Sequence, residues 1–171
     1  MSRIRSHNPP SLIQMIRGNH ALEHATIHVL SRINPSVSLV GRSDWAGYSL
    51  YGGVETSQVE KAAREALARL RSGERSLALH PRCGTILATT GLLGGLTVFL
   101  TLGLSNPRGR LRWATLPEAI LAATAAALLA HPIGMWVERH VTTSSDVGAL
   151  TITRVHRQLG GSTPVHRVET R

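Results

Sequence analysis

The chain has 171 residues, with 19 Lys plus Arg against 10 Asp plus Glu and a formal charge of +9. Its mean hydropathy is near zero, as in an ordinary soluble domain, but the charges are unevenly spread: Cys83–Pro107 and Ala119–Val137 contain no Asp, Glu, Lys or Arg. Crossing a hydrocarbon core takes about 20 apolar residues of helix, so both runs argue against a wholly water-soluble domain. The single cysteine, Cys83, rules out an intramolecular disulfide framework. Scattered arginines and an aromatic content of 4% give no stacking platform, so no nucleic-acid partner is expected. No apolar run follows the first arginines, Arg3 and Arg5, so no secretory signal is expected.

Residues 1–10 read as a disordered or extended arm ended by Pro9-Pro10. Ser11 is placed to cap a helix that runs to about Asn34, where Pro35 stops it. The alternating, Gly- and Asp-punctuated stretch Val37–Val54 predicts a β-hairpin. Thr56 opens a second helix, with Val59, Ala62, Ala63, Ala66, Leu67 and Leu70 on one face, and Gly73 is suited to end it. Ser76–Leu79 reads as a short strand leading to His80-Pro81.

The first apolar helix starts near Cys83, with Gly84, Ala88, Gly91 and Gly95 on one stripe. The second opens with Thr115-x-x-Glu118, a capping-box spacing with Pro117 in the first turn. Its small stripe is Ala119, Ala123, Ala126, Ala130 and Gly134. Two facing small stripes would let the backbones approach closely, or offer a face to a helical partner or a second copy. The short linker Ser105–Ala114 predicts an antiparallel hairpin. Strands near 149–155 and 164–168, with a turn at Gly160-Gly161, complete the chain. The expected fold is α+β: an extramembrane region at 1–82, a transmembrane helical hairpin inserted at 83–138, and C-terminal strands at 139–171 packing back on the first region. The lipid bilayer is then a partner. Sixteen of the 19 basic residues lie outside the linker, which carries Arg108, Arg110 and Arg112. The positive-inside rule then places both termini on the cytoplasmic side of a bacterial inner membrane.

Three clusters carry chemistry. His20-Ala-Leu-Glu23-His24 has the inverted zinc-hydrolase spacing, and His28 extends the row, the three histidines spanning an arc of about 80°. Imidazoles one helical turn apart can reach one ion, which lowers the pKa of a bound water, and Glu23 is the candidate general base. Ile13, Ile16 and Ile27 share the histidine sector, so that face is not simply solvated. The bland alternative is an amphipathic helix whose histidines are satisfied core groups. His80-Pro-Arg-Cys83 can add ligands through a tight turn, or can be no more than a turn approaching the membrane. His131, Trp136, Glu138 and His140 lie near the end of the second apolar run, where Trp136 suits an interfacial belt and His131 is an ionisable group within the span.

His-x-x-Glu-His-x-x-Ile at 20–27, His-Pro-Arg-Cys-Gly-Thr at 80–85, and Pro132, Gly134, Trp136 and Thr142-Thr143 together resemble the YqhQ-like family of bacterial membrane proteins, predicted to be metal-dependent enzymes, or a shorter two-span relative of it. Where that family carries a glutamate this chain has Ser31, for which His28 is a substitute, and Glu138 stands where the family has glutamine. The resemblance implies a metal site at a membrane interface.

The expectation is a small membrane-anchored metalloprotein, a zinc-dependent hydrolase in its sharpest form. His20 and His24 are the metal ligands, His80 the third, Cys83 or His131 its competitors, and Glu23 is catalytic. Three protein ligands and an open position would make the zinc catalytic; His20, His24, His80 and Cys83 together would make it structural. The alternative is a non-enzymatic accessory or scaffold protein with a structural metal or none.

Overall fold

The computed structural model describes residues 11–105, 113–148, 150–158 and 163–171. The N-terminal arm, the linker arginines 108, 110 and 112 and the Gly160-Gly161 turn lie outside the described residues. The chain forms two compact units. One holds the described residues up to Leu79 and those from Thr142 onwards; the other is His80–Val141.

The first unit is α+β. Helix α1 (Leu12–Ile33) opens on a reciprocal cap: Gln14 N–H donates to Ser11 Oγ while Ser11 N–H donates to Gln14 Oε1, and Asn34 closes it. Strands β1 (Val40–Asp44) and β2 (Gly47–Tyr51) form the expected hairpin around Trp45-Ala46. Gly47 has a φ of +143°, and a Cβ there would overlap the Val168 carbonyl, so the turn needs glycine. Helix α2 (Thr56–Arg71) buries the six residues its periodicity names, and Gly73 takes a φ of +101° beyond its end.

Strands β3 (Ile152–Gln158) and β4 (Val165–Thr170) complete an antiparallel sheet in the order β1-β2-β4-β3. The C-terminal strand β4 therefore pairs with β2, Tyr48 opposite Val168, and β3 takes the far edge. Both helices cover one face of the sheet, α1 over β1 and β2, α2 over β4 and β3. Between them lie Leu22, Ala25, Val29, Tyr48, Leu50, Val59, Ala63, Leu67 and Val168.

Residues 76–79 differ from expectation. Arg75–Ala78 is a 3-10 turn, because adjacent Leu77 and Ala78 are both buried, which an alternating strand does not permit.

The second unit is a pair of packed apolar helices, α3 (Gly84–Ser105) and α4 (Leu116–Val137), the latter containing Pro132 and followed by a π turn over Glu138–Thr142. Two helical spans, Gly84–Leu104 and Trp113–Thr142, are long and apolar enough to cross a membrane. The Thr115 capping box does not form: a 3-10 turn, Trp113–Thr115, leads into α4 and leaves Thr115 in helical conformation with no side-chain cap.

The small stripes are also not used symmetrically. On α4, Ala119, Ala130 and Gly134 are buried, and a Cβ on Gly134 would come within 2.9 Å of Ile86 Cα. On α3 the partly buried stripe runs instead through Ile86, Thr90, Leu93 and Thr97, while a Cβ on Gly84, Gly91 or Gly95 would meet nothing within 4 Å. Threonine suits the covered stripe because Thr89, Thr90, Thr97 and Thr101 each donate to the carbonyl four residues back, which leaves no hydroxyl unsatisfied in an apolar setting.

Candidate metal centre

Two polar rows run along α1, one residue out of step. Asn19, Glu23 and Thr26 face the sheet. Asn19, fully buried, donates from Nδ2 to the Asp44 carbonyl at 2.9 Å and accepts from Thr170 Oγ1 at 2.6 Å. Thr26 Oγ1 lies 2.7 Å from the Tyr48 hydroxyl. Burial pushes the Tyr48 hydroxyl well above its ordinary pKa, and the nearby Glu23 charge adds to the rise. The Glu23 carboxylate is buried against Gly41, where any Cβ would overlap it.

The second row is His20, His24 and His28. His20 Nδ1 is 3.1 Å from the Thr142 carbonyl, His24 Nδ1 is 2.9 Å from the Ala78 carbonyl, and His28 Nε2 is 2.8 Å from the Leu79 carbonyl. A carbonyl oxygen can only accept, so each of these ring nitrogens carries the proton. In the neutral rings His20 and His24 therefore hold their lone pairs on Nε2, and His28 holds its own on Nδ1. The His20 and His24 rings stand edge to face with centroids 4.4 Å apart. This is how metal-binding histidines are commonly held, with the second nitrogen donating to a backbone carbonyl that fixes tautomer and ring plane. The 3-10 turn presents the Ala78 carbonyl, and the Leu79 carbonyl follows it.

In the other unit, His80 N–H donates to Glu138 Oε1 at 2.8 Å, linking the residues before α3 to those after α4. Arg82 N–H donates to His80 Nδ1 at 3.2 Å, so the neutral His80 ring carries its proton on Nε2. Cys83 is buried, and its Sγ accepts from Thr85 N–H at 3.4 Å. His131 is exposed on α4. His140 stacks on Trp136 and donates from Nδ1 to the Trp136 carbonyl at 2.9 Å.

The sequence reading missed Asn19 and Thr26 as structural polar groups and the three carbonyls as histidine partners. The heptad-like recurrence of 19, 23 and 26 is the signal that would have found the first row.

An α+β body interrupted by a pair of apolar helices, with a histidine row on its first helix, defines the class of protein. The chain belongs to the family described as "Domain of unknown function (DUF6391)", whose model matches residues 15–155, from α1 into β3. It is similar to an uncharacterised protein of Picosynechococcus sp. (strain ATCC 27264 / PCC 7002 / PR-6), 37% identical over 143 residues, a stretch covering 75% of this chain and 66% of that protein. No solved structure matches.

Proposed function

We propose that this protein is a small membrane-anchored metalloprotein whose ion is bound by His20 and His24. The observation that carries the reading is the pair of Nδ1–carbonyl hydrogen bonds, which direct two Nε2 lone pairs from rings 4.4 Å apart. A further ligand comes from His80-Pro-Arg-Cys83, which follows Leu79 directly in the chain. Leu79 is held to α1 through His28. Cys83 is the better donor of the two, because His80 spends its Nδ1 lone pair on the Arg82 N–H. Imidazole and thiolate donors suit zinc. Zinc with an open position supplies Lewis acidity for hydrolysis, and Glu23 is the base in that form of the reading. The resemblance of residues 80–85 to the YqhQ-like proteins supports the same class.

Membrane anchoring rests on exposure. Only 6% and 11% of the two apolar windows are buried, whereas the core helix of a soluble protein would be mostly covered. Leu87, Leu92, Phe99, Leu104, Leu121 and Leu128 all face outward. The excess of basic residues outside the linker supports a cytoplasmic side for both termini.

The burial of Glu23 against Gly41 favours a second reading, a closed structural site in a non-enzymatic accessory protein. The test is elemental mass spectrometry on detergent-purified protein lacking a His-tag. Stoichiometric zinc is expected, lost in His20→Ala and His24→Ala with the helical circular dichroism retained. Metal-free wild type would end the proposal. Glu23→Gln should keep zinc in both readings and abolish hydrolysis only in the catalytic one.

A further inference from the structure

α1 begins with three outward-facing aliphatic side chains, Leu12, Ile13 and Ile16, which are 64%, 68% and 41% exposed. Nothing in the α+β body needs them there, since its core is drawn from residue 21 onwards on this helix. Their position in the chain's connectivity accounts for them. One residue beyond Ile16, Arg17 donates from Nε and Nη2 to the Thr143 carbonyl at 3.3 and 2.9 Å, and Ser144 N–H donates to the Arg17 carbonyl at 3.1 Å. His20 adds the Thr142 carbonyl. Thr142 is the last residue of the second apolar span. α1 is therefore tied, at residues 17–20, to the chain within three residues of where that span ends. A second tie, through His24 and His28, holds Ala78 and Leu79, five or six residues before the first span starts at Gly84.

We infer that the first turn of α1 is a lipid-contact element, with Leu12, Ile13 and Ile16 seated in the interfacial layer of the bilayer that the hairpin crosses. This rests on the membrane reading proposed above. At 1.5 Å per residue, Ile13 lies about 6 Å along the helix from Arg17, so all three side chains lie within about one and a half helical turns of that tie. Interfacial amphipathic helices seat their apolar side chains at the headgroup–acyl boundary. The Arg17 guanidinium, held by a backbone carbonyl, sits at headgroup level, as arginine does at the edge of a span. Ile13, Ile16, His20 and His24 follow one helical stripe, so the element also places the histidine row one turn from lipid.

The experiment uses the full chain in liposomes that contain a phospholipid with a diazirine on its acyl chain. After irradiation, adducts are mapped by mass spectrometry of the peptides. Adducts are expected on 12–16 and within 84–104, with none on the outer face of α2 around Arg64. Ile13→Asp with Ile16→Asp, both at exposed positions, should reduce the 12–16 adducts by roughly tenfold and leave those in 84–104 unchanged. Adducts in 84–104 with none on 12–16, including a case where 12–16 cross-links to a second copy instead, would overturn the inference and leave the membrane reading intact. Absence of adducts from 84–104 would remove the membrane reading and this inference with it.

Discussion

Helices α1 and α3 have the same length, 22 residues, and opposite relations between composition and burial. α1 carries Asn19, His20, Glu23, His24, Thr26 and His28, and eleven of its residues are buried. α3 carries no charged side chain, yet Ile86 alone among its described residues is buried. A protein stabilised by water alone would reverse this order, because burial rewards apolar surface and penalises polar groups that lack partners. α1 tolerates burial because its polar groups reach acceptors and donors far away in sequence, at 44, 78, 142 and 170. α3 closes its hydroxyls on its own backbone and needs no neighbour to do so. One helix is enclosed by protein, while the other leaves most of its apolar side chains exposed.

The strongest way to break the comparison is to remove one polar group from each helix. Asn19→Leu leaves the Asp44 carbonyl and the Thr170 hydroxyl without their partner in a buried setting, and should cost about 2–4 kcal/mol. Thr97→Val removes a hydroxyl bonded only within its helix and should change stability by less than about 0.5 kcal/mol. Chemical denaturation of the detergent-solubilised protein measures both. Equal costs would mean that the two helices are held by the same kind of interaction.

Within the apolar pair, the two small stripes are sharpened by single methyl groups. Gly134→Ala drives a Cβ to within 2.9 Å of the Ile86 backbone, so the helices must separate, at about 1–3 kcal/mol. Gly91→Ala meets open space and gains helix propensity, so it should be neutral or stabilising by up to about 1 kcal/mol. Thermal unfolding of the two variants side by side decides whether α3 turns its glycines away from α4.

These contrasts also show what a reader of the sequence can see. Local periodicity located α1, its Ser11 cap and the buried face of α2, because each is written in residues three or four apart. The histidine row was legible for the same reason. Its carbonyl partners were not, since a backbone acceptor at 78, 79 or 142 has no residue type to announce it. The alternation of Leu77 and Leu79 imitated a strand where the chain takes a 3-10 turn. The Gly84–Gly95 stripe imitated a packing face, because spacing marks a stripe without saying which neighbour it meets. Glu138 drew notice as a charge beside an apolar run, but its role as acceptor for the His80 amide depends on residues 58 apart.

The smallest expected effect sharpens the comparison from within the α+β body, at a second buried histidine. His166 on β4 is 1% exposed, and its Nδ1 lies 3.1 Å from Thr56 Oγ1 at the start of α2. Burial, the largest influence, holds its pKa below the ordinary histidine value; the Gly52 backbone opposes it, the Arg157 charge adds to the lowering, and Glu55 and the Val54 backbone oppose it more weakly. The unfolded chain, with an ordinary histidine near 6.5, therefore takes up a proton first as the pH falls. Stability from this group is complete above about pH 7, declines as pH drops through 6.5, and stops declining below the folded-state pKa. His166→Gln removes that slope, so the difference in unfolding midpoint between wild type and variant should change between pH 7 and 5 and be constant above pH 7.5. The comparison is between two proteins at each pH, so the titration of His20, His24 and the other histidines cancels. A difference that does not vary with pH would mean that His166 is not enclosed as the packing of β4 against α2 requires.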